Sequence, residues 1–549
     1  MYLDREVRRY NIIKRNTKNM EKDRIKFCKE CEDANRISRQ TLWTILQENK
    51  DTEYGKKHDF AHIKDLEDYR KLPITEYKDY EDDIACMMQG EDNILTAYPV
   101  EYFLTSSGST KQKLIPMTKK GLNHGFDVFY GVALPDEEEW EKEKHLHTSI
   151  VRTERGDNIT FLSNAHFWNE REKANGFFDK FVGGEELMFS GEIGDLWYMK
   201  LWLALSEPGL KSIYSIYQYD ILLLLQYFKE HWQDILRDMR AGSIPEEIDI
   251  SWKIKEKLLK IPLPKEDWFV FVQEECEKGF EGIVERIWKN CCMINGIGGK
   301  VFGTQEQNLR FYLGKIPIHN FVYASSEAPI GIALEEESDS YVCIPHGCFV
   351  EFLPLEEEGE DTKWIGELEV GKQYELIITN FCGFYRYRLW DVVEVTGFYG
   401  KAPKIRFAFR KNLAVNIAGE KTNLAMIAEV IRETTEATDA TITEYSVCVD
   451  ESVMPNRYCF FLEGDVTCKE EVYADMLDKS LCNKNRDYED LRQLHQVAAP
   501  ICVLVEEGSH AKWKEKQGKK GHNKPLQFSE ALDFQKFMME RERKLGTEK

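Results

Sequence analysis

The chain has 549 residues and a formal net charge of −22 at pH 7. This length exceeds one ordinary hydrophobic core, so we expect two to four domains. The acidic balance argues against nucleic-acid and anionic-membrane partners, because both need clustered Lys and Arg, and no apolar stretch approaches the ~20 residues of a spanning helix.

The first fifty residues predict helices. Residues 1–20 are charged throughout, which does not fit a secretory signal, and we therefore expect a cytoplasmic protein. Sparse apolar repeats predict helices that end near Asn49-Lys50-Asp51. Cys28 and Cys31 form a CxxC motif, but neither a second CxxC nor a paired His follows. We interpret these and the rest of the fourteen cysteines as reduced thiols rather than as a zinc site or disulfides.

A loop rich in small and hydroxylated residues lies in the stretch FLTSSGSTKQKLIPMT, residues 103–118. Its backbone N–H groups could form an anion-binding nest, its hydroxyls add donors, and Lys111 and Lys113 add positive charge, which favours a polyphosphate ligand. The spacing is not that of the GxxxxGK[ST] phosphate loop. A Ser-rich surface turn remains an alternative on these residues alone.

The middle of the chain predicts one long helix followed by strands. The segment SIYSIYQYDILLLLQYFKEHWQDILRDM, which begins at Ser212, is densely apolar and predicts a long, largely buried helix. From about Phe321 the chain contains short runs typical of strands: FVYAS, YVCIP, CFVEFLP, YELIITN and YRYRLWDVVEVTGFY. Acidic tracts between them are interpreted as solvated loops or helix faces.

The stretch FVYASSEAPIG could bind a nucleotide. Tyr323 could stack on a base, Ser326 could donate a hydrogen bond to a phosphate, and Glu327 could hold a hard cation through its oxygens. The alternative is a strand that ends in a turn with Glu327 exposed.

The stretch YRYRLWDVVEVTGFYGKAPKIRFAFRKNLAVNIAGEKTN has the charges that nucleotide binding needs. Asp391 follows Arg386 and Arg388, and Arg410 and Lys421 come later in the stretch. A carboxylate suits the vicinal hydroxyls of a ribose, and arginine suits phosphate oxygens. A salt-bridged hairpin is the alternative. A helical pattern, TNLAMIAEVIRETTEAT, follows, and the tail KWKEKQGKKGHNKP predicts a basic loop in an otherwise acidic chain.

Taken in order, these motifs resemble the auxin-responsive acyl acid amido synthetases, the Gretchen Hagen family of the adenylate-forming superfamily. The motifs that carry the resemblance include LPITEYKDYEDDI, TSSGST, YASSE, YELIITNFCGFYRYRLWDVV, FRKNLAVNIAGEKTN and the late W-x-x-x-x-G-x-x-G-H-N-K-P. The resemblance implies ATP- and Mg²⁺-dependent adenylation of a carboxylic acid and transfer of the acyl group to an amino acid amine.

For the fold, the resemblance implies an α/β protein with a large N-terminal domain and a small mobile α/β C-terminal domain. The large domain would contain parallel sheets flanked by helices and a β-barrel-like part. We expect the two domains to span residues 1–415 and 416–549.

The resemblance also assigns roles to individual residues. It implies catalytic roles for Lys524, Glu327 and Arg410, with Glu327 as the magnesium ligand and Lys524 as a lysine that the C-terminal domain brings to the α-phosphate. The nucleotide-binding residues that it implies are Ser106, Ser107, Gly108, Ser109, Thr110, Tyr323, Ser326, Asp391, Phe407, Arg410 and Lys421.

The chain departs from the family pattern at several positions. The first loop is shorter than the usual form and lacks its second glycine. Trp390 stands where a glycine usually precedes the aspartate, and this change either crowds the nucleotide or redirects the backbone. Leu424 replaces an acidic residue, and Lys519 or Lys520 could be the counterpart assigned above to Lys524.

Two other functions remain open at this point. One is an adenylate-forming ligase whose acceptor is coenzyme A or another amine, and the other is a non-catalytic descendant that binds a nucleotide. The sequence does not identify the acyl acid, the amino acid or the oligomeric state.

Overall fold

The computed structural model describes residues 18–105, 113–124, 144–148, 159–160, 180–188, 195–298, 305–335, 337–356, 359, 361–411, 417, 422, 424–450, 452–453, 455–466, 468–493, 497–516 and 532–543. The chain divides into two compact units. The first comprises Met1–Ile216, Leu223–Ile297 and Leu313–Ala408, and the second comprises Tyr217–Leu222, Gly298–Tyr312 and Phe409–Lys549.

Helices occur in both units. In chain order they are α1 (Lys18–Glu32), α2 (Ala34–Asn49), α3 (Glu53–Lys57), α4 (Leu66–Arg70), α5 (Glu81–Met88), α6 (Lys119–Asn123), α7 (Gly184–Met188), α8 (Leu196–Leu205), α9 (Gln218–Ala241), α10 (Trp252–Leu259), α11 (Glu266–Glu277), α12 (Ile283–Ile287), α13 (Gln305–Leu313), α14 (Leu424–Thr438), α15 (Glu470–Lys484), α16 (Arg486–Gln493), α17 (Ser509–Lys516) and α18 (Leu532–Met539). None of the helices within the described ranges is both long and apolar enough to cross a membrane.

Within the described ranges, strands form four sheets. In chain order they are β1 (Val100–Thr105), β2 (Leu114–Thr118), β3 (His145–His147), β4 (Ile159–Thr160), β5 (Ser212–Tyr217), β6 (Met293–Ile297), β7 (Ile318–His319), β8 (Val322–Ala324), β9 (Pro329–Ile332), β10 (Tyr341–Cys343), β11 (Phe349–Pro354), β12 (Gln373–Thr379), β13 (Tyr387–Tyr399), β14 (Ala402–Arg410), β15 (Thr441–Asp450), β16 (Arg457–Asp465) and β17 (Ile501–Leu504). The strands predicted from Phe321 onward are thereby confirmed.

The N-terminal helices follow the predicted pattern. Helix α2 ends at Asn49, as expected, and buries Leu42, Ile45 and Leu46 on one face through the three- and four-residue spacing of a helix. Thr52 then caps α3, because its side-chain oxygen accepts a 2.9 Å hydrogen bond from the backbone N–H of Gly55. This cap explains why one helix ends and another begins within four residues.

The prediction of a single helix from Ser212 was wrong at its start. Residues Ser212–Tyr217 form strand β5, and the helix begins only at Gln218. The strand pairs in parallel with β3, and its first four residues are buried. A short apolar run buried on both faces of a parallel sheet lacks the alternation of an exposed strand, so its pattern cannot be distinguished from that of a buried helix.

The first unit combines three sheets. Strands β3-β5-β6-β7 form a sheet in which β3 pairs in parallel with β5, and β6 with β7, with helices between consecutive strands. Strands β2-β1-β4 form a small mixed sheet. The largest sheet has the order β11-β12-β13-β14-β10-β9-β8 and is built from antiparallel pairs. The predicted α/β class, with parallel sheets and an antiparallel β-rich part, is confirmed.

The second unit packs helices on a small mixed sheet. Strand β16 pairs antiparallel with β15 and parallel with β17. Helix α14 was predicted from the stretch TNLAMIAEVIRETTEAT, and it buries Ile427, Val430 and Ile431 in the core of this unit. Leu424, noted above as a departure from the family pattern, is the first residue of α14.

A buried polar network connects α17 to the sheet of the second unit. Nδ1 of His510 lies 2.5 Å from Oε1 of Glu463, and Nε2 of the same ring lies 2.9 Å from Oγ of Ser446. The backbone N–H groups of Gly508 and His510 also donate to Glu463, each at 2.7 Å. The serine is fully buried, so we interpret this Ser–His–Glu arrangement as an anchor for the helix rather than as a hydrolytic triad.

Glu463 makes the stability of this unit dependent on pH. Burial tends to raise its pKa, but the hydrogen bonds from His510 and from two backbone N–H groups outweigh burial and hold the pKa below the ordinary value of 4.5. A depressed carboxyl pKa stabilises the fold above the ordinary value, and this contribution is lost as the pH falls through the folded pKa.

Replacing Glu463 with glutamine is therefore expected to lower the free energy of unfolding by about 2 kcal/mol at neutral pH, because hydrogen bonds to a charged acceptor become bonds to a neutral one. In urea unfolding, the difference from wild type should stay constant from about pH 7 to about pH 5 and should shrink as the pH is lowered further through the folded pKa, where Glu463 takes up a proton. Glu507→Gln, at an exposed position nearby, is the control and should leave stability unchanged. A difference that stays constant as the pH falls below about 5 would contradict the assignment.

Candidate active site

A tyrosine and an aspartate from distant strands meet in the first unit. The hydroxyl of Tyr323, on β8, donates a 2.7 Å hydrogen bond to Oδ2 of Asp391, on β13. Four inter-strand steps separate β8 from β13 in the sheet, which in a flat sheet is about 19 Å. Because these two side chains cannot span that distance, the sheet must curl until its β8 edge faces β13, as in a barrel.

Aromatic rings surround the tyrosine. The ring of Phe407, on β14, lies 6.1 Å from that of Tyr323 at 65°, and the ring of Tyr341, on β10, lies at 5.7 Å. Burial raises the pKa of Tyr341, so its hydroxyl stays protonated. The sequence prediction named Tyr323 and Phe407 for the same ligand, and the structure brings their rings together.

A tight turn presents Ser326 and Glu327 directly after β8. The backbone N–H of Ser325 donates to the carbonyl of Ala328 at 3.0 Å, which closes the turn. The hydroxyl of Ser325 accepts hydrogen bonds from the backbone N–H groups of Glu327 and Ala328, at 3.3 and 3.2 Å. A serine side chain that substitutes for a backbone acceptor in this way is a common means of fixing a turn.

Asn380 supports this turn from the end of β12, and the sequence reasoning missed it. Its amide N–H donates to the carbonyl of Glu327 at 2.7 Å, and its amide oxygen accepts from the backbone N–H groups of Cys382 and Phe384, at 2.9 and 3.0 Å. Asn380 is buried. Its position, between the strand YELIIT and the glycine of NFCG, was the available signal, because a buried asparagine at a strand end often satisfies loop backbone groups.

Glu327 as a residue is only 6% exposed, which contradicts the alternative of an exposed glutamate. Within the residues that the structure describes, its carboxylate makes neither a hydrogen bond nor an ion pair. A carboxylate that burial of its residue partly removes from water and that has no partner is unfavourable, and a hard cation would relieve it. Mg²⁺ commonly takes one or two protein carboxylates and completes its shell with phosphates and water, so this side chain fits the ion. Among the described residues, no group of three or more His, Cys, Asp or Glu could hold a metal by itself.

Of the remaining residues that the sequence singled out, the structure describes Arg410 and Lys113. Arg410 is the last residue of β14, three positions after Phe407, and clusters with the second unit. Lys113 lies at the start of the segment leading into β2, and its ammonium donates to the hydroxyl of Tyr387 at 3.1 Å. The other predicted positions lie outside the described residues: Ser106, Ser107, Gly108, Ser109, Thr110, Lys421 and Lys524.

Three family models match the chain in succession. The GH3 family N-terminal domain matches residues 24–318, the GH3 family central domain residues 341–410, and the GH3 family C-terminal domain residues 425–525. A curated relative, "Indole-3-acetic acid-amido synthetase GH3.5" of Arabidopsis thaliana, is 26% identical over 492 residues, which cover 80% of this chain and 79% of the relative.

Solved structures share the fold. The structure described as "AtGH3.15 acyl acid amido synthetase in complex with 2,4-DB" has a TM-score of 0.81 at 21% identity. The match covers 94% of this chain and 96% of the chain in that structure. A 2-hydroxyisobutyryl-CoA ligase in its postadenylation state has a TM-score of 0.52 at 10% identity, with coverage of 92% and 91%. At these identities the likeness concerns the fold alone.

Proposed function

The chain belongs to the GH3 family, and from this premise we propose that it is an ATP-dependent acyl acid amido synthetase. It adenylates a carboxylic acid and transfers the acyl group to the amine of an amino acid. The observation that supports this proposal most strongly is the pairing of Tyr323 with Asp391 inside the curled sheet, next to the turn that presents Glu327.

The reaction has two steps. In the first, a carboxylate oxygen of the acid attacks the α-phosphorus of ATP, and pyrophosphate leaves with the bonding electrons. In the second, the amine attacks the acyl carbonyl, the bond between the carbonyl carbon and the bridging oxygen breaks, and AMP leaves. Adenylation is needed because a free carboxylate has no competent leaving group, whereas AMP is one.

We assign the binding of the nucleoside to residues that the structure describes. Asp391 is proposed to accept hydrogen bonds from the ribose hydroxyls, and Tyr323 and Phe407 to pack against adenine. The hydroxyl of Tyr323 already donates to Asp391 and so orients its carboxylate before the ligand arrives. Preorganisation of this kind lowers the entropy that binding would otherwise lose.

Cationic and polar groups are proposed to bind the phosphates. Attack of a carboxylate on a triphosphate brings like charges together, so positive groups must stabilise the charge of the transition state. We assign this role to Arg410, Lys421 and Lys524, with the loop 106–110 and the hydroxyl of Ser326 as hydrogen-bond donors. Lys524 would lie in the smaller C-terminal domain, proposed to span residues 416–549, with the adenylation domain in residues 1–415.

Glu327 is proposed to hold Mg²⁺. When bound, the ion would neutralise phosphate oxygens and orient the triphosphate. The contribution of this chain is a buried carboxylate on a turn that Ser325 and Asn380 fix in place. We also place the protein in the cytoplasm, because its fourteen free thiols suit a reducing compartment.

Product analysis tests this proposal. The protein would be incubated with ATP, Mg²⁺, pooled amino acids and an acid library that includes indole-3-acetic acid and 2,4-DB, which the names of the relatives suggest. Mass spectrometry should detect AMP, pyrophosphate and a stable N-acyl amino acid. A hydroxylamine-sensitive thioester, formed only with coenzyme A, would instead favour the ligase alternative. ATP binding without pyrophosphate release for any acid would favour a non-catalytic descendant.

A further inference from the structure

Trp390 has an unusual backbone conformation within β13. Among the described residues other than glycine, six have a positive φ, and Trp390, at +66°, is the one of them that lies inside a strand. This left-handed region is strained for a residue with a side chain, and a bulky aromatic residue is a clear outlier there. The chain therefore adopts, with a tryptophan, a conformation that glycine would adopt freely.

The conformation coincides with a bulge. Glu375 on β12 pairs with Val392, and Ile377 on β12 pairs with Arg388. The single β12 residue between Glu375 and Ile377 therefore lies opposite three residues of β13, 389–391. A bulge bends the strand and redirects the side chains within it. Asp391 is one of the residues in this bulge, and its buried carboxylate accepts the hydrogen bond from Tyr323.

Neighbouring side chains hold the indole in place. The guanidinium carbon of Arg388 lies 4.5 Å from the ring centroid of Trp390, which is a cation–π geometry. Nε of Arg388 lies 2.7 Å from Oε1 of Glu375, and this glutamate is fully buried. The series Glu375–Arg388–Trp390 therefore connects the irregularity in β12 to the strained residue in β13.

We propose that Trp390 is a positioning residue for nucleotide binding: its left-handed backbone, held by Arg388, aims the Asp391 carboxylate at the ribose. This inference rests on the proposed function, because it assumes that Asp391 binds ATP. A tryptophan here could either crowd the nucleotide or redirect the backbone. The bulge favours redirection of the backbone.

Three substitutions separate backbone conformation from loss of the ring. Trp390→Gly removes the indole but adopts a positive φ without strain, whereas Trp390→Val removes the indole and strongly resists a positive φ. Phe398→Val is the matched control, because Phe398 is an exposed aromatic residue with an ordinary φ on the same strand. Isothermal titration calorimetry with Mg·ATP would measure the affinity of each full-length variant.

We expect Trp390→Val to weaken Mg·ATP binding at least about 10-fold and Trp390→Gly to stay within about 3-fold of wild type, with Phe398→Val unchanged. In turnover assays, the KM for ATP should rise in Trp390→Val while the KM for the acid does not, since only the ribose contact moves. If Trp390→Val folds poorly, Trp390→Ala replaces it, because alanine resists a positive φ as well.

Equal affinities for the Gly and the Val (or Ala) variants would overturn the positioning role. Weaker binding by Trp390→Gly than by Trp390→Val would overturn it too, because the ring and not the backbone would then matter. Failure of the wild-type protein to bind Mg·ATP is a different result: it would contradict the proposed function, and this inference with it.

Discussion

Replacing Glu327 with glutamine is expected to lower carboxylate-dependent ATP–pyrophosphate exchange by at least about 100-fold, a loss typical of removing one group that stabilises transition-state charge. The substitution keeps the shape of the side chain and removes the buried charge that we assign to Mg²⁺. Since the turn is held by Ser325 and Asn380 through the backbone of residues 327 and 328, the fold should not change. Any residual activity should need more Mg²⁺.

Two further variants make this result specific. Asp391→Asn should lower the exchange to a similar extent and raise the KM for ATP, because ribose hydroxyls would lose a charged acceptor. Glu369→Gln, at an exposed position of the same unit, should retain wild-type activity. Full exchange activity in folded Glu327→Gln would show that another group performs the role assigned here.

Replacing Arg386 with methionine is expected to destabilise the first unit by about 3 to 5 kcal/mol. Nε and Nη2 of Arg386 each lie 3.1 Å from a carboxylate oxygen of Glu351, and both side chains are almost fully buried. Nη1 also donates to the backbone carbonyls of Arg70 and Leu72. Methionine has a similar length but leaves Glu351 as a buried anion without its partner, which is the main source of the loss.

The double variant Arg386→Met/Glu351→Met provides the control. Removing both charges abolishes the uncompensated anion, so at least half of the lost stability should return, as measured by urea unfolding. Arg386 has a positive φ of 49°, and both variants carry methionine there with the same backbone strain and the same lost hydrogen bonds to Arg70 and Leu72. The comparison between them therefore isolates the charge of Glu351. A double variant no more stable than Arg386→Met would contradict the ion pair as the cause.

The local elements could be predicted from the sequence. The run YELIIT has the β-branched and apolar residues of a buried strand, and residues 424–438 have a helical repeat, so each element follows from near neighbours in the chain. The sequence assigned Tyr323 and Asp391 to one ligand, and the structure brings the two side chains together although 68 positions separate them. Adenosine as that ligand stays a prediction.

Tertiary structure determined what the sequence could not predict. The curl that brings β8 to β13 depends on the order of seven strands, which no local pattern encodes. Asn380 donates a hydrogen bond to the backbone carbonyl of Glu327. Every residue type has such a carbonyl, so the sequence does not show which one Asn380 contacts. The strand from Ser212 was mistaken for a helix because residues buried on both faces of a parallel sheet lose their period of two.

An isotope experiment tests the acyl-adenylate most directly. The carboxylic acid found in the product screen would be labelled with ¹⁸O in its carboxylate and converted to its amide with ATP and the amino acid. Because the carboxylate oxygen that attacks the α-phosphorus leaves with AMP in the second step, the account predicts one ¹⁸O atom in each AMP formed. AMP without the label, or label in inorganic phosphate instead, would contradict it.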